Sequence, residues 1–453
     1  MLKRYQEASY GLEPWLARPC RGTEIDLRNV TPMEETRNPD AQSLRGLDAL
    51  NFFLADVRDG VGPYLAIYLL TIQQWDPARI GVAMSAMGLA TMLAQAPCGA
   101  VLDTVKQKRL LIVLAALLVG AGCAMLPLFS SFDFVVTLQV LTGIAAAIFP
   151  PAVAAITLGL VGPKTFATRM GRNEAFNHAG NVGAAILAGV AGHLLGLEWI
   201  FFLVTGIAIA SMASVRFIRE RDIDHDLARA AGPKTGTDCQ TVSGIGTLLS
   251  NRTLLIFALC TALFHFANAA MLPLVGQVLS RDNSTVAPLA MSACIVAAQL
   301  VMIPVAAVAG SLAGHWGRKP VFLIGFAVLP IRGFLYILGD APLFIVAVQL
   351  LDGIGAGIFG VLWVTVVADL TKGTGRYNFA LGTIATAQGI GAALSNLAAG
   401  YVVNVWGYET GFIVLATIAI VALFLFAWKM PETSERDQPR ITRARMFVQD
   451  LAF

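Results

Sequence analysis

Charge is what this chain has least of. Only 13% of its 453 residues are Asp, Glu, Lys or Arg, while 56% are hydrophobic. A soluble protein of this length carries charge on about a quarter of its residues. Mean hydropathy is +0.68, so most of the surface is built to face lipid. The net charge of +3 is too small to imply a nucleic-acid partner. The six cysteines (Cys20, Cys98, Cys123, Cys239, Cys260, Cys294) show no C-x-x-C and no paired spacing. Neither a metal site nor a disulfide framework is expected, and small apolar fillers account for them. There is no H-E-x-x-H, no G-x-S-x-G and no phosphate-binding glycine loop, which argues against a membrane enzyme. No stretch outside the apolar segments is long enough to make a convincing folded sensor domain. Lys3 and Arg4 are followed by polar sequence, not by the apolar run of a secretory signal.

What is present is apolar sequence in pieces of spanning length. Six segments lie at about 47–72, 79–102, 109–128, 132–160, 168–195 and 198–217. Six more lie at about 252–279, 288–314, 320–338, 342–371, 377–404 and 409–429. Each is near or above the ~20 residues that a helix needs to cross ~30 Å of hydrocarbon. Only helices satisfy every backbone group inside such a segment. A tail (1–45) precedes an N-terminal bundle (46–217), a hydrophilic linker (218–250), a C-terminal bundle (251–430) and a basic tail (431–453). With the N-terminus inside, the inner loops and tails hold 28 of the 32 Lys and Arg. That asymmetry predicts an integral protein of the cell membrane with both termini in the cytoplasm.

The halves are related. "QVLTGIAAAIF" (139–149) aligns with "QLLDGIGAGIF" (349–359) without a gap, seven of eleven positions identical, and "GAA" recurs at 183–185 and 391–393. Parallel repeats of this kind occur in transporters whose substrate site lies between the halves near midplane. The loop "GAVLDTVKQKRLL" (99–111), with its counterpart "GSLAGHWGRKPVF" (310–322), then resembles the G-x-L-a-D-r-x-G-r-K-x-x-L signature of the major facilitator superfamily. The first copy keeps Gly99, Asp103 and Lys108, with Arg109 as a further candidate of the loop, but has Lys106 where glycine is usual. The second keeps Gly317, Arg318 and Lys319 but has Gly314 for the aspartate.

This resemblance implies an all-α membrane protein of twelve transmembrane helices in two pseudo-symmetric six-helix bundles, with helices 3, 6, 9 and 12 outside the cavity. It also implies that the loop braces one conformation against the eleventh helix, which places Arg376 near Asp103. Gly99 is expected to let backbones pack closely. Two departures qualify the functional reading. Gln139 stands where many proton-linked drug exporters of the family have arginine, and "AGNVGAAILAGVAG" (179–192) lacks the proline of their fifth-helix motif.

Charged and polar residues inside the segments are the candidate site, because each charge at bilayer centre costs roughly 2.5–3.5 kcal/mol. Asp56, Arg58 and Asp59 interrupt the first segment, and Glu174, Asn177, His178 and Asn181 form one stripe of the fifth. His265 and Asn268 lie in the seventh, Arg332 in the ninth, and Asp352 and Trp363 in the tenth. At 1.5 Å per residue the titratable groups form a layer near mid-depth. Arg58 lies ~200° around the helix from Asp56, so it is expected to pair elsewhere, with Glu174, leaving Asp56 and Asp59 to the cavity. A pair between Arg332 and Asp352 is an expectation of equal weight to a substrate role. Phe149-Pro150-Pro151 is expected to kink the fourth helix.

The function expected is export of a small solute or drug by alternating access, driven by the proton gradient, with no other cofactor, by a monomer. The alternatives are a proton-coupled uptake symporter and a divalent-metal exporter using His178, His265 and the carboxylates.

Overall fold

The computed structural model describes residues 39–59, 61–225, 251–282, 284–371 and 377–434. Most of both tails, most of the linker and Arg376 therefore lie outside the described residues, as do the side chains of Asp59 and Asp103. Thirteen α-helices, joined by short turns, make up the described chain. They are α1 (Ala41–Asp59), α2 (Gly62–Thr71), α3 (Pro77–Thr104), α4 (Lys108–Met125), α5 (Phe132–Ala146), α6 (Phe149–Leu194) and α7 (Glu198–Phe217). The second half holds α8 (Arg252–Ala269), α9 (Met271–Asp282), α10 (Ala287–Trp316), α11 (Arg318–Leu335), α12 (Pro342–Thr371) and α13 (Tyr377–Lys429). Among the described residues there is no strand.

By length and composition, eight runs are apolar enough to cross a membrane. One of them, Phe379–Lys429, contains two of the segments read in the sequence. The segments outside these runs, 47–72, 168–195 and 320–338, are helical as well but carry Arg or Lys together with little spare apolar length. Local chemistry sets several boundaries. Asp76 caps α3 by accepting from the Arg79 amide at 2.9 Å, with Pro77 at the first helical position. Asn251 caps α8 through the Leu254 amide at 3.0 Å. Pro150 and Pro151 cannot donate to the preceding turn, and the chain breaks between α5 and α6 just before them. Glycines with positive φ, Gly162 (+72°) and Gly407 (+85°), turn the chain within α6 and α13.

The repeat is physical as well as textual. At Gly143 a Cβ would strike the Met87 carbonyl, and at Gly353 it would strike the Ala298 carbonyl, so α5 crosses α3 as α12 crosses α10. Gly180 meets the Phe52 carbonyl, and Gly391 meets the Ala262 carbonyl. The acceptors Phe52 and Ala262 are 210 residues apart, the offset of the aligned eleven-residue motif.

Candidate functional site: a cavity between two broken helices

The first apolar segment is not one helix. It stops at Asp59 and restarts at Gly62, whose φ is +42° and which precedes Pro63 at the first turn of α2. The seventh segment stops at Ala269 and restarts at Met271, and the amide of Ala270 between them donates to Ser395 Oγ at 3.0 Å. Position 60 and position 270 are equivalent in the repeat. Paired interruptions at corresponding places mark the substrate region of transporters, because backbone freed from the helix can line a cavity. Asp56, Arg58 and Asp59 all sit in the last turn of α1, where Arg58 also meets the negative end of the helix dipole.

The halves touch along one side of this layer. Tyr64 OH pairs with Ser292 Oγ at 2.9 Å, Ser292 donates to the Ala185 carbonyl, and Ser85 Oγ donates to the Ala393 carbonyl at 2.7 Å. His178 Nδ1 donates to Gln299 Oε1 at 3.0 Å, and His193 Nδ1 donates to the Thr285 carbonyl at 2.8 Å. These bonds run from mid-depth toward the end that carries residues 72–77. Toward the end that carries the basic loops lies a cavity of about 380 Å³. Arg58, Met87, Met92, Gln95, Pro150 and Gly389 are among its lining residues. A recess of about 70 Å³ adjoins it, lined in part by Asn51, Arg58, Glu174 and Asn177.

Arg58 and Pro150 belong to both spaces. Arg58 is an exposed cavity residue, not a buried one, whereas Asp56 is half-buried and within electrostatic reach of Tyr64 and Cys123. Glu174 shares the recess with Arg58 and accepts from Asn177 Nδ2 at 3.4 Å. Asn181 follows on α6, half-buried, while Gln139 is buried in α5.

The second half keeps its charges to itself. Arg332 is 2% exposed, pairs with Asp352, donates to Asn268 Oδ1 and lies 3.1 Å from Met271 Sδ. Gln349, the repeat partner of Gln139, donates to Asp352 Oδ2 at 3.0 Å and accepts from Tyr336 OH. Asn268 is the repeat partner of Arg58, so equivalent positions face a locked network in one half and a cavity in the other. His265 packs edge-on against Phe359 at 4.8 Å, and its enclosed Nε2 has no hydrogen-bond partner among the described residues. Trp363 packs on the hydrophobic core.

The family's sequence profile, that of the Major Facilitator Superfamily, matches residues 47–308 and 257–449. The chain belongs to the major facilitator superfamily. It is 52% identical over 393 residues to an uncharacterised MFS-type transporter of Mycobacterium tuberculosis (strain ATCC 25618 / H37Rv), covering 87% of this chain and 94% of that protein. It is 24% identical over 131 residues to multidrug resistance protein D of Escherichia coli (strain K12), 29% of this chain and 33% of that one. The crystal structure of the nucleoside transporter NupG superposes with a TM-score of 0.71 at 16% identity. It covers 85% of this chain and 98% of that one. This chain is thus an integral membrane transporter and not an enzyme.

The superfamily loop is built differently in its two copies. Gly317 has φ +101°, and the amides of Arg318 and Lys319 behind it donate to Glu432 at 2.8 and 3.0 Å. The Arg318 side chain pairs with Asp369 at 3.3 Å. In the first copy Lys106 adopts no left-handed conformation, so the usual glycine is not required there. Lys108 is buried and donates to the Val105 carbonyl at 3.1 Å, and Arg109 pairs with Glu220 at 2.9 Å. Glu220 and Glu432 each follow the last helix of their half. Gly99 departs from expectation: a Cβ there would meet nothing within 4 Å.

Three features went unread in the sequence. Asp48 is buried and accepts from Arg169 at 2.6 Å and Arg172 at 2.7 Å, tying α1 to α6. Its signal was a carboxylate near the start of a spanning segment, which is costly without partners. Gln299, the partner of His178, is a lone amide in an apolar run. The third is the cavity wall of α3, where Met84, Met87, Thr91, Met92 and Gln95 recur at i, i+3, i+7, i+8 and i+11. That spacing is one helix face.

Proposed function

We propose that this protein is a proton-coupled exporter of small organic compounds that works by alternating access as a single chain. The observation that carries the reading is the asymmetric layer: Arg58 lines the cavity and, with Glu174 and Asn177, the recess beside it, while Arg332, Asp352 and Asn268 are closed within one bundle. A group that binds solute or proton must be reached from the cavity, and buried groups bonded to one another resist such exchange. The local similarity to a multidrug resistance protein supports export.

Proton coupling falls to the carboxylates of the α1 break, Asp56 and Asp59. Two carboxylates three residues apart on one helix face raise each other's proton affinity. In proteoliposomes, Asp56→Asn or Asp59→Asn is expected to abolish transport driven by a pH gradient while sparing substrate exchange without one. Gradient-driven transport at full rate in both variants would move the coupling site elsewhere.

Both termini face the cytoplasm in this reading, and the cavity opens to the cytoplasm. Cysteines introduced at 226–250 should react with a membrane-impermeant maleimide only in inverted vesicles. Labelling from outside intact cells would reverse the orientation and with it the side to which the cavity opens.

A further inference from the structure

We infer that the cavity takes amphipathic organic anions, with the anionic group on Arg58 and the apolar body on the methionine face of α3. The inference rests on the cavity being the substrate site, and it holds for transport in either direction. Two observations carry it. Among the described residues that line the cavity Arg58 is the charged one, and its side chain is exposed. A guanidinium offers a planar fork of donors that matches a carboxylate, sulfonate or phosphate. It also stands just before the N-terminus of α2, where backbone amides carry partial positive charge.

The second observation is the opposite wall. Met84, Met87 and Met92 line one face of α3, with Gln95 at its open end. Thioether side chains are flexible and polarisable and repack around bodies of different shape. Such a wall recognises apolar bulk without fixing its outline. The cavity of about 380 Å³ falls within the range of small-molecule sites. The adjoining recess of about 70 Å³ is too small for such a body. Glu174 therefore bears on water and protons and on the setting of Arg58, not on the bulk of the substrate. A cationic substrate would instead find the guanidinium in its way.

The test is equilibrium binding to purified wild-type and variant protein of three probes that share one ring system: naphthoate, naphthamide and naphthylmethylammonium. Wild-type protein should bind naphthoate about tenfold or more tighter than naphthamide, as a charge-assisted bond implies, and naphthylmethylammonium weakest. Arg58→Gln should erase the preference for naphthoate over naphthamide while the purified variant keeps the monodisperse peak of the wild type, which reports an intact fold. Arg58→Lys should keep part of the preference. Equal binding of naphthoate and naphthamide, tighter binding of the ammonium probe, no binding of any probe, or an undiminished preference in Arg58→Gln would each overturn the assignment. Met92→Trp, which fills the cavity, separates this failure from a deeper one. If it weakens all three probes while the charge preference runs the other way, only the anion assignment falls. If naphthoate binding survives Met92→Trp in full, the cavity is not the substrate site.

Discussion

A disulfide between positions 88 and 393 is expected to stop transport completely, and reduction to restore it. Gly88 lies on α3 and Ala393 on α13, on opposite sides of the seam between the halves. A Cβ built on Gly88 falls 3.2 Å from the Ala393 Cβ. Disulfides require Cβ atoms about 3.5–4.5 Å apart, so a few tenths of an ångström of adjustment closes the bond in Gly88→Cys/Ala393→Cys. The neighbouring Ser85–Ala393 hydrogen bond shows that this stretch of the seam is in close contact. Alternating access requires the same stretch to separate in the opposite state. A covalent link therefore removes one whole state from the cycle, whatever the substrate. The measurement is uptake into proteoliposomes by the double variant, in a background lacking the native cysteines, before and after reductant. Undiminished transport by fully cross-linked protein would show that the seam does not open during the cycle.

The second large effect is structural. Arg332→Ala should cost about 3–5 kcal/mol, the typical penalty for breaking one side of a buried ion pair. Arg332 is 2% exposed and holds Asp352 and Asn268 together, so its removal leaves the Asp352 charge with Gln349 as its remaining donor. Asp352→Asn in the same chain should recover much of the loss, because the uncompensated charge is then gone. For a two-bundle membrane protein the useful readout is the temperature at which half the detergent-solubilised protein loses its monodisperse peak. Wild-type behaviour of Arg332→Ala would mean that water, not Arg332, carries the load at Asp352. Arg58→Gln should show no comparable fall in stability, since its side chain is exposed to the cavity. The contrast between two arginines at related depth tests the asymmetry of the halves.

Much of the architecture was legible before any coordinates, for reasons of solvent. A bilayer demands apolar segments of fixed length and forbids unpaired backbone, so hydropathy alone located the helical segments. The repeat was legible because its crossings need glycine: Gly143 and Gly353 survive in both copies, each against a neighbouring carbonyl. The pairing of Arg332 with Asp352 could be anticipated because two opposite charges on adjacent apolar helices have few other ways to be buried.

What the sequence by itself determined, then, was the membrane, the helices, their duplication and the identity of the polar layer. What only the tertiary structure decided was which of those polar groups the cavity reaches. Helical periodicity placed Arg58 and Asp56 on opposite faces but could not say which face turned inward. That rotation is set by packing against a different helix, at Gly180, where the Phe52 carbonyl leaves no room for a side chain. Pro63 and Pro273, 210 residues apart, announce the two breaks locally, with Gly62 beside the first, but what satisfies the backbone freed beside Ala270 is not local. There the amide finds Ser395, more than a hundred residues away. Periodicity is a property of one helix, whereas facing is a property of two, and only their contact chooses it.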